Sequence, residues 1–192
     1  MIYQSLHCLA DEINDFFRIK LQVTEDKVLL SSIVNQDGSV AVQGENKIVL
    51  TLLNVEKENA KTSPGYPATP RTSNGQASAI NINLLIMLSV YFSGNNYPEG
   101  LKFLSLVISF LQRKPVFNQS NTPRLPAEIE KLSFDLETIG LERLSNIWTM
   151  IGAKYMPSVI YKLRMLTFDD TTVTEYRPLA KTLQGNTQPV SN

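Results

Sequence analysis

Residues 79–92, with the sequence AININLLIMLSVYF, decide how the rest of the chain is arranged. Isoleucine and asparagine alternate strictly from Ile80 to Asn83, and from Leu84 onward almost every residue is apolar. The alternation predicts a β-strand, because successive side chains of a strand point to opposite faces of the sheet. The apolar remainder is either the continuation of that strand, buried on both faces, or a buried helix that begins near Leu85. Periodicity alone does not distinguish the two.

The sequence before this segment predicts a helix and two strands. Residues 2–17 carry apolar side chains at steps of three and four, as in a helix with one buried face. Lys27–Val34 is rich in β-branched and aliphatic residues and ends at the turn sequence Asn35–Gly38. Lys47–Val55 has apolar residues on both parities, which is typical of a central strand that is covered on both faces.

A second helix is predicted shortly after residues 79–92. Asn96 is placed to cap it, Pro98 suits its first turn, and Glu99 follows Asn96 at the spacing of a capping box. Pro115 is expected to end this helix, because a proline cannot continue the hydrogen-bond ladder. Phe117–Ala127 is then predicted to be an irregular link.

The sequence from residue 132 onward predicts a strand, a helix and a last strand. Residues 132–137 alternate between apolar and polar side chains, as in a half-buried strand. Residues 141–151 predict a short helix with Gly152 as its C-terminal cap, and Ser158–Phe168 is strongly β-prone. Strands outnumber helices and no repeating βαβ unit is present, so we expect an α+β fold with the helices on one face of the sheet.

Two segments are irregular by composition. Asn59–Ala79 contains three prolines and two glycines among polar residues, and loops of this length are commonly functional or disordered. It is therefore either a partner contact or a mobile surface loop. Residues 171–192 carry few apolar side chains and predict an extended arm that becomes ordered only against another molecule. We expect a folded domain over residues 1–170 followed by this arm.

Composition excludes several classes of function. The 192 residues include 18 Lys and Arg, 18 Asp and Glu, one His and one Cys. A net charge of zero argues against nucleic-acid binding, because neutralising phosphates requires an excess of basic residues. A single cysteine excludes an internal disulfide and fits a reducing compartment. The chain lacks a basic segment ahead of an apolar leader and has no apolar run near the ~20 residues of a membrane span. We therefore expect synthesis and assembly in the cytoplasm without membrane insertion.

Residues for catalysis, metal binding or cofactor binding are not grouped in the sequence. A glycine-rich phosphate loop, a cysteine pair and a pair of histidines are all absent. His7 and Cys8 are neighbours on a predicted helix, where adjacent side chains point about 100° apart, so they are not placed as a base and a nucleophile. Asp169 and Asp170 follow the last strand without further oxygen ligands nearby. We therefore predict a protein that is not an enzyme and has no cofactor.

Two groups of side chains near the C-terminal strand are candidates for binding. Trp148, Tyr155 and Tyr161 either form a stacking surface for a ligand or belong to the core, as aromatic residues at this spacing commonly do. Lys162 and Arg164 lie on one face of the last predicted strand. Charges of this kind on an otherwise apolar strand are typical of a sheet edge, so we expect this strand to be an edge strand that meets another chain.

Several stretches resemble a known family. Residues 83–92 (NLLIMLSVYF), 97–117 (YPEGLKFLSLVISFLQRKPVF) and 129–169 are similar to the N-terminal domain of cap proteins of extracellular contractile injection systems, of the antifeeding-prophage and virulence-cassette type. The most specific parts are Arg113–Phe117 and the run from Trp148 through Tyr155-Met156-Pro157-Ser158 to Tyr161. Residues 1–17 and 46–58 are also similar, so the resemblance covers roughly residues 1–170.

The resemblance implies a phage tail-terminator-like fold and a ring of six copies that closes the end of an inner tube and engages the last sheath layer. The expected partners are further copies of the chain, the inner tube protein and the sheath protein, within a particle that is released from the cell. The alternatives are an assembly adaptor or chaperone that leaves the particle, and a small soluble enzyme. We expect the long loop and the arm to carry partner contacts, and the candidate contact residues are Tyr66, Arg71, Lys162, Arg164, Tyr176 and Arg177.

Overall fold

The computed structural model describes residues 1–58 and 80–168, which form a six-stranded sheet and three helices. The sheet order is β1-β2-β3-β6-β5-β4; β1 and β2 are parallel, and every other neighbouring pair is antiparallel. The predicted α+β class is confirmed. In chain order the elements are α1 (Ile2–Leu21), β1 (Val28–Leu30), β2 (Lys47–Lys57), β3 (Ile80–Tyr91), α2 (Tyr97–Arg113), β4 (Val116–Asn118), β5 (Lys131–Leu136), α3 (Leu141–Ile151) and β6 (Ser158–Phe168).

Strand β3 lies at the centre of the sheet and remains a strand to Tyr91. It pairs with β2 on one side and with β6 on the other, in the registers Leu50↔Leu88 and Leu88↔Val159. Met87 and Leu88 point to opposite faces and are both fully buried. The strand is therefore apolar on both parities because each of its faces is covered, which resolves the alternatives that periodicity left open.

Helices α1 and α2 cover one face of the sheet, called here the first face. Ile13 and Phe17 of α1 and Val107 of α2 are completely buried there, in the same cluster as Leu50 and Leu88. Phe17 also meets Phe103 of α2 edge-on, with ring centroids 5.0 Å apart. Most of the buried apolar surface of the described chain belongs to this layer, so the first face holds the main hydrophobic core.

Helix α3 covers the opposite, second face, so the expectation that all helices share one face is wrong. Trp148 is the one buried residue of α3, and it packs in a cluster with Met87 and Ile160. Ile33 and Val42, from the connection between β1 and β2, complete this smaller layer. Cover on both faces follows from the sequence of β3, because apolar side chains on both parities would otherwise lie in water.

Three other elements differ from the sequence predictions. Strand β1 pairs over three residues only, and the predicted extension to Val34 makes an isolated bridge with Val40. The predicted link Phe117–Ala127 begins inside the short strand β4. Asn96 occupies the N-cap position of α2, but its side chain makes no capping hydrogen bond, so the predicted capping box does not form.

Asn14 joins α1 to the outer edge of the sheet. Its side-chain Oδ1 accepts hydrogen bonds from the backbone N–H of Lys27 (2.9 Å) and of Val28 (2.8 Å). Its Nδ2 donates to the Val28 carbonyl at 3.0 Å. The amide is buried, and these three bonds satisfy backbone groups that a neighbouring strand would otherwise pair with. One side chain thus orients α1 against β1.

The close approach of α2 to β3 depends on Gly100. A Cβ added there would overlap Cγ1 of Val90 and lie 3.0 Å from Cγ of Phe92. We expect Gly100→Ala to lower the free energy of unfolding by about 1–3 kcal/mol, because overpacking outweighs the better helix propensity of alanine. Gly140→Ala is the matched control, since a Cβ added at Gly140 would have no atom within 4 Å. Urea denaturation measures both; equal stability of Gly100→Ala and the unchanged chain would contradict this packing.

Candidate functional site

Lys162 and Arg164 of β6 form ion pairs with acidic residues of β2, of β5 and of the segment that follows β5. Nζ of Lys162 is 3.1 Å from Oε2 of Glu56 and 3.9 Å from Oε1 of Glu137. Nε of Arg164 is 2.6 Å from Oδ2 of Asp135. Because β6 lies between β3 and β5, the prediction that it is an edge strand is wrong. The two basic residues are tolerated on an interior strand of the sheet because other segments of the same chain supply carboxylates that pair with them.

These five residues, Glu56, Asp135, Glu137, Lys162 and Arg164, are called here the charged strip. Lys162 is two residues after Ile160 on β6 and therefore points to the same face as Ile160, which packs in the α3 layer. Its partner in register is Leu85, which also packs in that layer, so Lys162 lies on the second face. Every member is partly or largely exposed, with side-chain exposures between 23% and 49%. Three carboxylates meet two basic groups, so the strip is an accessible surface of mixed sign with a net negative charge.

The charged strip lies towards the end of the sheet where the chain leaves the described residues. The register pairs Lys57 with Ile82 and Ile80 with Phe168, so the end of β2, the start of β3 and the end of β6 lie together. Residues 59–79 and 169–192 are therefore attached at one end of the sheet. The candidate contacts Tyr66, Arg71, Tyr176 and Arg177 and the pair Asp169-Asp170 fall outside the described residues.

A groove of about 350 Å³ borders α3 on the second face and is called here the α3 groove. Leu141 at its rim is 85% exposed, and the ring of Tyr155, which is 64% exposed, meets Trp148 edge-on with centroids 5.9 Å apart. Nε1 of Trp148 is buried and has no hydrogen-bond partner among the described residues. The lining residues are Leu141, Leu144, Ser145, Trp148, Thr149, Ala153 and Tyr155.

The three aromatic residues singled out in the sequence do not form one surface. Tyr161 is buried in the first-face cluster with α1 and α2, whereas Trp148 and Tyr155 lie on the second face. Burial also raises the pKa of the Tyr161 hydroxyl above its usual value. The interpretation that these residues belong to the core therefore holds for Trp148 and Tyr161. Of the three, Tyr155 alone contributes substantially to the surface.

Sequence reasoning missed the exposure of Leu141. The apolar spacing of residues 141–151 predicts a helix whose Leu141 lies on the buried face, and the helix itself is correct. The spacing cannot show whether an apolar residue packs on its own sheet or remains open to another molecule. The acidic residue Glu142 directly after Leu141 is the one available indication that this end of α3 is exposed.

His7 and Cys8 occupy different environments on α1. Nδ1 of His7 lies 2.9 Å from Oδ2 of Asp11 on the surface, where Tyr3 and His7 line a second groove of about 270 Å³. Cys8 is buried, and burial, followed by the charges of Glu12 and Asp11, raises the pKa of its thiol to about 11. A thiol with this pKa is almost wholly protonated at neutral pH and is a poor nucleophile.

The described part of the chain holds neither a cluster of metal ligands nor a membrane-spanning helix. Within residues 1–58 and 80–168, no three His, Cys, Asp or Glu side chains are grouped so as to hold a metal ion. No helix in the same ranges is both long and apolar enough to cross a membrane. The charged strip, the α3 groove and the groove beside His7 are accessible features of this part.

Residues 6–182 match the family of the Pvc16 N-terminal domain. The chain belongs to this family. The resemblance inferred from residues 83–92, 97–117 and 129–169 is thereby confirmed. No curated protein sequence matches this Pvc16 N-terminal domain significantly.

Two solved structures share the fold of this Pvc16 N-terminal domain. One is the sheath/tube terminator of the extracellular contractile injection system PVC in its extended state, with a TM-score of 0.57, 11% identity and coverage of 100% of this chain. The other is the tube terminating cap of the anti-feeding prophage, with a TM-score of 0.51, 13% identity and 93% coverage. The aligned region spans 64% and 60% of those chains, less than two thirds of each. The predicted tail-terminator-like fold is confirmed.

Lys162 links β2 to the strand-end residue Glu137, so its removal tests the charged strip. We expect Lys162→Met to lower the free energy of unfolding by about 1 kcal/mol in low salt, because two partly exposed ion pairs are lost and two carboxylates are left unmatched. The loss should shrink in 1 M NaCl, where such pairs are screened. Lys131→Met on β5 is the matched control, because Lys131 makes no ion pair within the described ranges. An equal, salt-independent effect of both variants would contradict the electrostatic account.

Proposed function

We propose that this chain is a structural cap that terminates the inner tube of a contractile injection particle. The observation that carries the proposal is the agreement between the family match over residues 6–182 and a fold shared with a sheath/tube terminator and a tube terminating cap. The described chain offers an interaction groove and a charged surface. The proposed role is therefore assembly and not catalysis.

A ring of identical copies, six by the family resemblance, is the form in which such a cap would act. A tube grows because each ring presents a surface that recruits the next one. A cap stops this growth when one of its surfaces matches the last tube ring and the other does not. Subunits with two different faces suit this task. Head-to-tail contacts between them close into a ring when the rotation from one subunit to the next adds up to a full turn. The two faces of this sheet differ in their cover, because α1 and α2 pack on the first face and α3 packs on the second.

Tube and sheath contacts are proposed for the end of the sheet that bears residues 59–79 and 169–192. Both segments leave the described chain at that end, beside the partly exposed charged strip. Mixed charges set the orientation and partner choice of an interface more than its strength. In this proposal residues 1–170 form the cap domain, residues 171–192 form the arm, and the contact residues are Tyr66, Arg71, Lys162, Arg164, Tyr176 and Arg177.

The assembled particle provides the first test. Particles produced without this chain should have inner tubes of uncontrolled length and sheaths that contract or detach prematurely, as seen by electron microscopy. Supplying the full chain in trans should restore a single length. The chain is expected to assemble in the cytoplasm and to stay in purified particles, which an adaptor or chaperone would not do. Particles of normal length and stability without the chain would refute the cap role.

The two segments can be tested separately in particles that contain the full-length control. We expect deletion of residues 60–78, with a short glycine–serine replacement, or truncation after residue 170 to weaken retention of the cap on sheathed particles. Reversal of the charges of Lys162 and Arg164 to Glu should have a smaller effect in the same direction, because the strip then carries only negative charge. Retention is measured by quantifying the chain in purified particles. Full retention and normal length in both deletions would overturn the assignment of these contacts.

A further inference from the structure

Two of the described chain's most exposed large apolar side chains lie on opposite faces of the sheet. Leu141, at the rim of the α3 groove on the second face, is 85% exposed. Ile19, near the C-terminal end of α1 on the first-face side, is 83% exposed, and Leu21 beside it is 40% exposed. Such side chains gain free energy when a partner removes them from water.

Each of these two sites also carries an exposed charge, and the charges are opposite in sign. Glu142 follows Leu141 on α3, and Lys20 lies between Ile19 and Leu21 on α1. Neither charge belongs to an ion pair within residues 1–58 and 80–168. The α3 groove is lined mainly by apolar and hydroxyl groups, so an exposed aliphatic side chain such as Ile19 fits its chemistry.

We propose that the occupant of the α3 groove is a second copy of this chain, which inserts Ile19 and places the adjacent Lys20 against Glu142. The argument rests on charge complementarity and on the placement of the two sites. Because they differ and lie on opposite faces, the contact is head-to-tail, and it leaves one free site of each kind for a further copy. A two-fold contact would require a single self-complementary patch. The inference rests on the proposed ring and specifies which surfaces join its subunits.

A charge-swap experiment tests this contact on the full chain. Glu142→Lys and Lys20→Glu should each weaken self-association about tenfold, because each replaces an attraction by a like-charge repulsion at the same place. The double variant should restore the association of the unchanged chain. Lys102→Glu is the matched control, since Lys102 is an exposed lysine beside the exposed Leu101 on α2, also on the first-face side, and it should change nothing. Sedimentation velocity across a concentration series measures all four variants.

The outcomes separate this contact from the proposed function. If the unchanged chain forms rings and both single variants form them equally well, the contact is refuted and the cap proposal still stands. Weakening by both single variants without rescue in the double variant would show that the two sites matter but do not meet. An unchanged chain that stays monomeric in solution and on tube ends would contradict the ring and the contact together. Far-ultraviolet circular dichroism spectra like that of the unchanged chain are expected throughout. Slightly lower melting temperatures are expected for the charge swaps, because Lys20 lies in the last turn of α1 and Glu142 in the first turn of α3, where their charges favour the helix dipole.

Discussion

The burial of β3 on both faces is the constraint on which the rest of the structure depends. A strand that is apolar on both parities cannot lie at an exposed edge or under a single layer of helices. It requires a hydrogen-bonded neighbour on each side, which β2 and β6 supply, and apolar cover above and below. The two covers are unequal, because α1 and α2 form a large aromatic layer while α3 is held mainly by Trp148. Cover on both faces follows from this central strand, and the unequal helices that supply it make the two faces different.

Much of the fold could be predicted from local patterns in the sequence. The helices at residues 2–21, 97–113 and 141–151 and the strands on either side of the long loop follow from apolar spacing, which depends on each segment alone. The position of β6 in the sheet could not be predicted. Its lysine and arginine resemble the charges of an edge strand, and only the three-dimensional register brings Glu56 and Asp135 alongside them. The order of strands in a sheet depends on contacts between distant parts of the chain, so the residues of one segment do not predict it.

The candidate surfaces show the same division between local and long-range information. Leu141 has the spacing of a core residue, and apolar spacing does not distinguish a side chain that packs inward from one that is exposed. The charged strip combines residues that are far apart in sequence, from Glu56 to Arg164, and exists only because β2, β5 and β6 belong to one sheet. The family resemblance indicates the proposed role, whereas the surfaces proposed for it are visible only in the three-dimensional fold.

The three hydrogen bonds made by Asn14 have a consequence for the outer edge of the sheet at β1. They occupy the N–H and the carbonyl of Val28 that point away from β2. An extended segment of another molecule therefore cannot form strand hydrogen bonds with Val28. Open sheet edges favour endless fibres, since each added strand exposes a new edge. Here a buried amide occupies the edge at Val28 from within the same chain. A contact with another molecule at Val28 must then use side chains, whose shapes and charges select the partner.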